Sequence, residues 1–147
     1  MKQVFPIVAA PAGTSLVGVF VLLLVLALAI LLLTASRFVK FEISPEGLRI
    51  RGDIYGRLIP SSALLVEQAR PIDLTADRDY QLKLRTNGMG LPGYSGGWHR
   101  LRNGQKCLAF VTDKKRAVYI PTRDGYVVLL SVEQPDQFLV ALRQSIR

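Results

Sequence analysis

The sequence contains very little cysteine and histidine, which limits the chemistry it can carry. Its 147 residues include one cysteine, Cys107, and one histidine, His99. A single cysteine excludes an intramolecular disulfide framework, and a single histidine excludes the usual clusters of two or three histidines around a metal. We therefore predict no metal site and no cofactor, and no catalytic residue is assigned.

Charge is also absent from one long stretch, between Gln3 and Ser36. Within it, residues 14–33 are dominated by Leu and Val, and as a helix they would extend about 30 Å, which matches the hydrocarbon core of a bilayer. We predict a transmembrane helix over residues 14–35. A short tail, 1–13, precedes it, and residues 37–147 form the remaining domain.

The same apolar run has a second interpretation, a cleaved secretory signal. The apolar region of a signal peptide is normally about 7–15 residues long, and this run is longer. A cut after Ala35 would place Leu33 where a small residue is needed. The run therefore favours an uncleaved anchor over a signal peptide.

The distribution of basic residues predicts the orientation of the anchor. Only Lys2 and the terminal amine precede it, whereas Arg37, Lys40, Arg49 and Arg51 follow closely. Because basic residues are enriched on the cytoplasmic side, we predict a single-pass protein of the cell membrane. We expect its C-terminal domain to lie in the cytoplasm and the lipid bilayer to be one of its partners.

After residue 38 the pattern changes to short segments in which apolar and polar residues alternate, typical of half-buried strands. The predicted segments are 39–44, 48–51, 54–59, 63–68, 80–85, 106–111, 116–120 and 126–130. Seven or eight short strands joined by short turns predict a mainly β fold, a small antiparallel barrel or sandwich.

The last segment has the period of a helix. Phe138, Leu139, Leu142 and Ile146 share one face, and Pro135 suits the first turn. We predict a helix over 135–146 that caps one end of the β structure.

The domain resembles the bacterial pleckstrin-homology (PH) families, which are small PH-like barrels often attached to membrane helices. The motifs that carry the resemblance are GLRIRG at 47–52, YGRLIP at 55–60, RTNGMGLPGYSGGW at 85–98, YIPTRDGYVVLLS at 119–131 and PDQFLVAL at 135–142. The resemblance implies a PH-like fold and a membrane-associated setting. Since PH-like barrels serve many roles, it does not by itself assign a function.

A glycine-rich stretch matches the dinucleotide pattern GxGxxG at 88–93. That pattern binds phosphates only where it follows a strand and begins a helix. Pro92 and the residues after it do not begin a helix, so we interpret the stretch at 88–97 as a loop. This loop either forms an interaction rim, with Tyr94 and Trp98, or only closes the barrel.

Basic residues cluster in two predicted hairpins. Lys40, Arg49 and Arg51 lie on the polar face of the first. In phosphoinositide-binding PH domains, a lysine on the first strand and basic residues on the second hold the headgroup phosphates, so the resemblance implies an anionic-lipid site here. A solvated strand face is the simpler interpretation, and Glu42 in the same hairpin favours diffuse attraction to anionic lipid.

The second basic group, Lys114, Lys115 and Arg116, follows Asp113 at a predicted turn. It is either an ordinary charged turn or a contact for an anionic phospholipid or an acidic partner. Although the net charge is +8, no nucleic-acid-binding motif accompanies it, and we predict no nucleic-acid partner.

These observations predict a non-enzymatic, single-pass membrane protein. Its PH-like domain would act as a membrane-proximal protein-interaction or assembly module, with a protein partner or self-association. The alternative is a reader of anionic-lipid headgroups that uses the first hairpin. An enzyme would need a nucleophile, acid or metal constellation that the sequence does not display.

Overall fold

In the computed structural model, residues 3, 7–9 and 11–146 are described. The chain forms two compact units, Met1–Thr34 and Ala35–Arg147. The first contains one helix, α1 (Ala12–Thr34). The second contains a short 3-10 turn at Ala35–Phe38, all of the strands and a C-terminal helix.

Helix α1 begins two residues before the predicted span and is long and apolar enough to cross a membrane. Its 23 residues extend about 34 Å at the rise of an α-helix. The large apolar side chains described on it are exposed, for example Leu16 and Phe20. Because a signal sequence near an N-terminus has the same properties, the helix by itself establishes only that the chain carries a span-length apolar segment.

A three-stranded sheet follows, made of β1 (Lys40–Ser44), β2 (Gly47–Arg51) and β3 (Leu58–Pro60) in that order. Both pairs are antiparallel. Phe41 and Ile43 of β1, together with Leu48 and Ile50 of β2, pack into the core, so the alternation in the sequence correctly predicted which face is buried.

The second sheet has six strands. They are β4 (Arg70–Ile72), β5 (Leu82–Leu91), β6 (Tyr94–Leu101), β7 (Lys106–Val111), β8 (Ala117–Pro121) and β9 (Tyr126–Ser131). Their order in the sheet is β4-β8-β9-β7-β6-β5. The two sheets do not close into a barrel in the part of the chain that the structure describes. The predicted mainly β class is therefore confirmed, as a sandwich.

One strand pair departs from the antiparallel expectation. The β8–β9 hairpin inserts β9 between β8 and β7, so that β7 and β9 run parallel. Both strands carry continuous apolar runs and are buried on both faces of the sheet, as is usual for parallel strands.

The six-stranded sheet has a buried core on each face. The larger core, between the sheets, includes Leu48, Phe110 and Leu130. The smaller core includes Leu101, Cys107 and Leu129; the connection between β4 and β5 contributes Leu74 and Tyr80 to it, and the first residue of β5 contributes Leu82. This connection therefore covers the outer face of the sheet.

Two sequence predictions are wrong in this region. Residues 63–68 do not form a strand. They span two 3-10 turns, Ser61–Ala63 and Val66–Gln68, with an isolated bridge from Leu64 to Thr122 between them. Local hydrogen bonds hold these turns, since the amide of Ala69 donates to the carbonyl of Val66 at 3.1 Å. The stretch at 88–97 is not a loop, because β5 and β6 extend through it as a hairpin with a two-residue turn.

The C-terminal helix α2 (Pro135–Ser145) agrees with the predicted segment. Its buried residues, Leu139 and Leu142, complete the larger core. The Arg143 guanidinium donates to the carbonyl of Ala69 at 2.8 Å, which ties the helix to the start of β4. The helix packs against β1 of the first sheet and β4 and β8 of the second, so it caps the core between the two sheets of the sandwich.

Candidate functional site

The first basic group lies on one face of the β1–β2 hairpin. Lys40 is paired with Arg51, and Glu42 with Arg49. Because alternate residues of a strand point to the same side, these four side chains share the outward face. The Arg51 Nε atom lies 3.1 Å from a Glu42 carboxylate oxygen, and both side chains are about half exposed. The fold therefore brings the three predicted cations together with a carboxylate between them.

The second basic group lies in the turn between β7 and β8. Arg116 Nε is 2.8 Å from Asp113 Oδ2, and the amide of Lys115 donates to Asp113 Oδ1 at 2.9 Å. The hydrogen bond from Arg116 lowers the pKa of the Asp113 carboxyl, and the other bonds at this turn act in the same direction. The Arg116 side chain is therefore paired within its own turn, whereas Lys114 lines a neighbouring groove.

Tyr94 does not lie on an exposed rim, because it is only 5% exposed and packs in the larger core. Its hydroxyl donates to a carboxylate oxygen of Asp53, in the connection between β2 and β3. Burial, followed by the hydrogen bond and the charge of Asp53, raises the pKa of the Tyr94 hydroxyl. The pairing joins the first sheet to the β5–β6 hairpin, so this side chain has a structural contact of its own.

Trp98 is half-buried and faces the same side of β6 as Tyr94. Arg57 lies 5.1 Å and Lys106 4.5 Å from the centre of the indole ring. The Tyr126 ring makes an edge contact at 5.0 Å. Both cations gain a favourable interaction with the ring face. Trp98 is therefore enclosed by neighbours of its own chain.

Glycine allows the two strands of the β5–β6 hairpin to approach each other closely. Gly97 has a φ of +97°, and a Cβ atom there would lie 2.6 Å from the Cα of Gly88 across the pair. Because any side chain would clash and the backbone would be strained, the glycine content reflects close strand approach. No helix begins at the GxGxxG match, which contributes to β5 and to the hairpin turn.

A basic groove runs beside β5 on the outer face of the sheet, and the sequence analysis did not identify it. One cavity of about 500 Å³ is lined by residues including Leu74, Leu82, Arg102 and Lys114. A shallower depression of about 230 Å³ adjoins it, with Lys83, Leu84, Arg85, Gly90, Ser95 and His99 in its lining. The alternation from Leu82 to Arg85 predicted a strand, but not that the connection between β4 and β5 would pass beside it.

The single cysteine and the single histidine are both buried. Cys107 is fully buried, and desolvation raises the pKa of its thiol. His99 is 5% exposed; its Nδ1 lies 3.1 Å from the carbonyl oxygen of Gly97, and burial lowers its pKa. Among the described residues, no group of three or more His, Cys, Asp or Glu side chains is placed to hold a metal ion.

A family model described as a bacterial PH domain matches residues 39–146, which is most of the chain and spans every strand and helix α2. Neither the curated proteins nor the solved structures include a match.

Proposed function

The chain belongs to the bacterial PH domain family, and from that premise we propose that its PH domain is a membrane-proximal protein-interaction or assembly module. In this proposal α1 is an uncleaved membrane anchor and the domain lies in the cytoplasm. The observation that carries the proposal is the direct succession of an uncharged helix of 23 residues and a PH domain.

The short connection between the two units supports this role. Only residues 35–39 separate the end of α1 from β1, and five residues extend at most about 18 Å. An anchored domain on so short a connection is confined to a thin layer at the membrane. Confinement raises its effective concentration toward other membrane proteins, so that weak contacts suffice for association.

The state of the reactive residues supports a non-catalytic role. A buried thiol with a raised pKa is a poor nucleophile because the reactive form is the thiolate. His99 borders a surface depression but is only 5% exposed, so little of its ring is available to act on a substrate as a general acid or base.

The test of anchoring uses the full-length chain expressed in bacteria. We expect it to remain in the membrane fraction after an alkaline wash, with α1 present in the mature mass. Leu24→Arg/Leu28→Arg places two charges at the centre of the span, each costing about 3 kcal/mol on insertion, and should release the chain from that fraction. Leu24→Phe/Leu28→Phe is the matched control and should stay. A mature chain that lacks α1 would contradict the proposal.

Orientation and interaction are tested in the same cells. A reporter fused to the C-terminus that is active only in the cytoplasm should be active. A photo-crosslinking residue placed in turn at exposed positions of the domain should give discrete adducts with a protein, or with a second copy of the chain. Adducts with lipid alone at every position would contradict an interaction module.

A second candidate function is binding of anionic-lipid headgroups by the β1–β2 hairpin, favoured by the common face of Lys40, Arg49 and Arg51. Flotation of residues 37–147 with vesicles tests it. Loss of binding in Lys40→Ala/Arg49→Ala/Arg51→Ala, together with selectivity among lipids of equal charge, would support a headgroup reader. Equal binding to all lipids of the same charge would exclude a headgroup reader.

A further inference from the structure

We propose that the free edge of β5, with the basic groove beside it, binds an extended acidic segment of a partner protein as an added strand. The inference rests on the proposed interaction function and specifies where the partner binds and what its chemistry is. Of the two basic groups identified from the sequence, this surface includes only Lys114, which lies in the lining of the groove.

The first observation is the open edge of the six-stranded sheet. Strand β5 has ten residues and lies at the end of the strand order, paired only with β6 in the described part of the chain. There, no backbone hydrogen bond joins residues 83–91 to any segment other than β6. The opposite edge, β4, has only three residues and contains Pro71. The pairing of β5 with β6 has register shifts between Leu82 and Leu84 and between Arg85 and Asn87, and it is regular from Asn87 to Leu91. This regular stretch, with unpaired N–H and C=O groups on its outer side, is a template for another strand.

The second observation is the charge along this edge. Between Tyr80 and Asn103 the chain has no Asp or Glu, but it has four basic residues. Two of them, Lys83 and Arg85, lie on β5, and Arg102 follows β6. The described ion pairs include none of these three. An incoming acidic strand would therefore gain electrostatic attraction, whereas a basic strand would be repelled.

The third observation is the apolar surface between the basic side chains. Leu84 is 58% exposed, and Leu82 and Leu91 line the adjoining cavity. Register shifts interrupt the regular alternation of β5 between Leu82 and Leu84 and between Arg85 and Asn87, so the exposed Leu84 lies on the edge between two basic residues. A segment that carries both acidic and apolar side chains provides partners for both. A lipid headgroup would satisfy the cations but not the row of backbone groups, so we assign the edge to a peptide.

The probe is a blocked peptide of about eight residues that alternates glutamate and valine, a typical strand length. The full-length protein is reconstituted in bilayer discs of uncharged lipid, and binding is followed by fluorescence anisotropy of the labelled peptide. The acidic peptide should bind. Its lysine–valine counterpart should bind on the order of tenfold more weakly. An acidic peptide N-methylated at alternate amides should lose binding, because it cannot complete the strand pairing.

The variant Lys83→Glu/Arg85→Glu reverses the charge of the edge, and we expect on the order of tenfold weaker binding of the acidic peptide. It should gain binding of the lysine–valine peptide, which would also show that it is folded. The matched control, Lys40→Glu/Arg49→Glu, makes the same change of charge on the β1–β2 hairpin and should leave peptide binding unchanged within about twofold.

Three results would overturn the inference. They are absence of binding by the acidic peptide, equal binding of the N-methylated peptide, and equal loss in the two charge-reversal variants. If the Lys83/Arg85 surface binds to discs of anionic lipid while the peptide does not bind, the β5 edge contacts the bilayer and not a partner strand. None of these outcomes bears on anchoring, and crosslinks from another surface would leave the interaction module intact.

Discussion

The β1–β2 and β5–β6 hairpins are both rich in basic residues, yet their charge is organised differently. The first places Glu42 on the same face as its three cations and pairs it with Arg51. The second has no carboxylate of its own and leaves Lys83 and Arg85 without an ion pair among the described contacts. The number of basic residues in a hairpin therefore does not predict its electrostatic potential, because the cross-strand register decides which of the charges are neutralised.

The two hairpins also differ in what holds them. The first is held by large apolar side chains, since Leu48 and Ile50 are almost completely buried. The second has glycine at 88, 90, 96 and 97, and it depends on close backbone approach together with the pairing of Tyr94 and Asp53. We expect the second hairpin to be the more sensitive of the two to a single added methyl group.

Gly97→Ala should have the largest effect. The added Cβ would meet the backbone of Gly88 at 2.6 Å, at a φ of +97°. We expect a loss of about 2–4 kcal/mol in the free energy of unfolding, from strain and overpacking together. Denaturant unfolding of the full chain in micelles, followed by the fluorescence of Trp98, measures it.

Gly93→Ala is the matched control, because it also has a positive φ but no atom within 4 Å of the added Cβ. It should lose only about 1 kcal/mol, from backbone strain. Equal losses in the two variants would show that close approach at Gly97 is not what limits this hairpin.

The pH dependence of stability should come next in size, and it belongs to the second hairpin through His99. Burial lowers the pKa of His99 in the folded chain, whereas the unfolded chain binds a proton below about pH 6.5. Stability is therefore fully present above that pH and should fall, by up to about 1.4 kcal/mol per pH unit, as the pH drops toward the folded pKa.

Unfolding at pH 7.5, 6.5 and 5.5 measures this slope, and His99→Leu should flatten it. Since the chain has one histidine, the difference between the two slopes reports that residue. An unchanged slope in the variant would mean that the pKa of His99 is the same in the folded and the unfolded chain.

Glu42→Gln should have the smallest effect on stability and makes the first hairpin resemble the second. Its ion pair with Arg51 joins two side chains that are 48% and 59% exposed, and exposed pairs contribute less than about 1 kcal/mol. We expect a change in unfolding free energy within about 0.5 kcal/mol, measured by the same denaturant titration. A larger loss would indicate that the pair organises the β1–β2 face.

Local patterns predicted much of the fold. Alternation identified β1 and β2 and their buried faces, and the period of residues 135–146 identified α2. The candidate surfaces were predicted less well. The three cations of the first hairpin do share a face, but Tyr94 is in the core, and the groove beside β5 was not anticipated. Nothing local distinguishes a glycine-rich loop from a glycine-rich hairpin, because the difference lies in whether a partner strand fits against it.

By itself the sequence determined the apolar helix and the existence of most strands, since each depends on the composition or period of one continuous segment. Only the tertiary structure decided that β9 lies between β7 and β8, that Tyr94 reaches Asp53, and that β5 has an open edge. These features depend on pairings between residues far apart in the chain. Their free energy comes from burial and hydrogen bonding that no single segment contains.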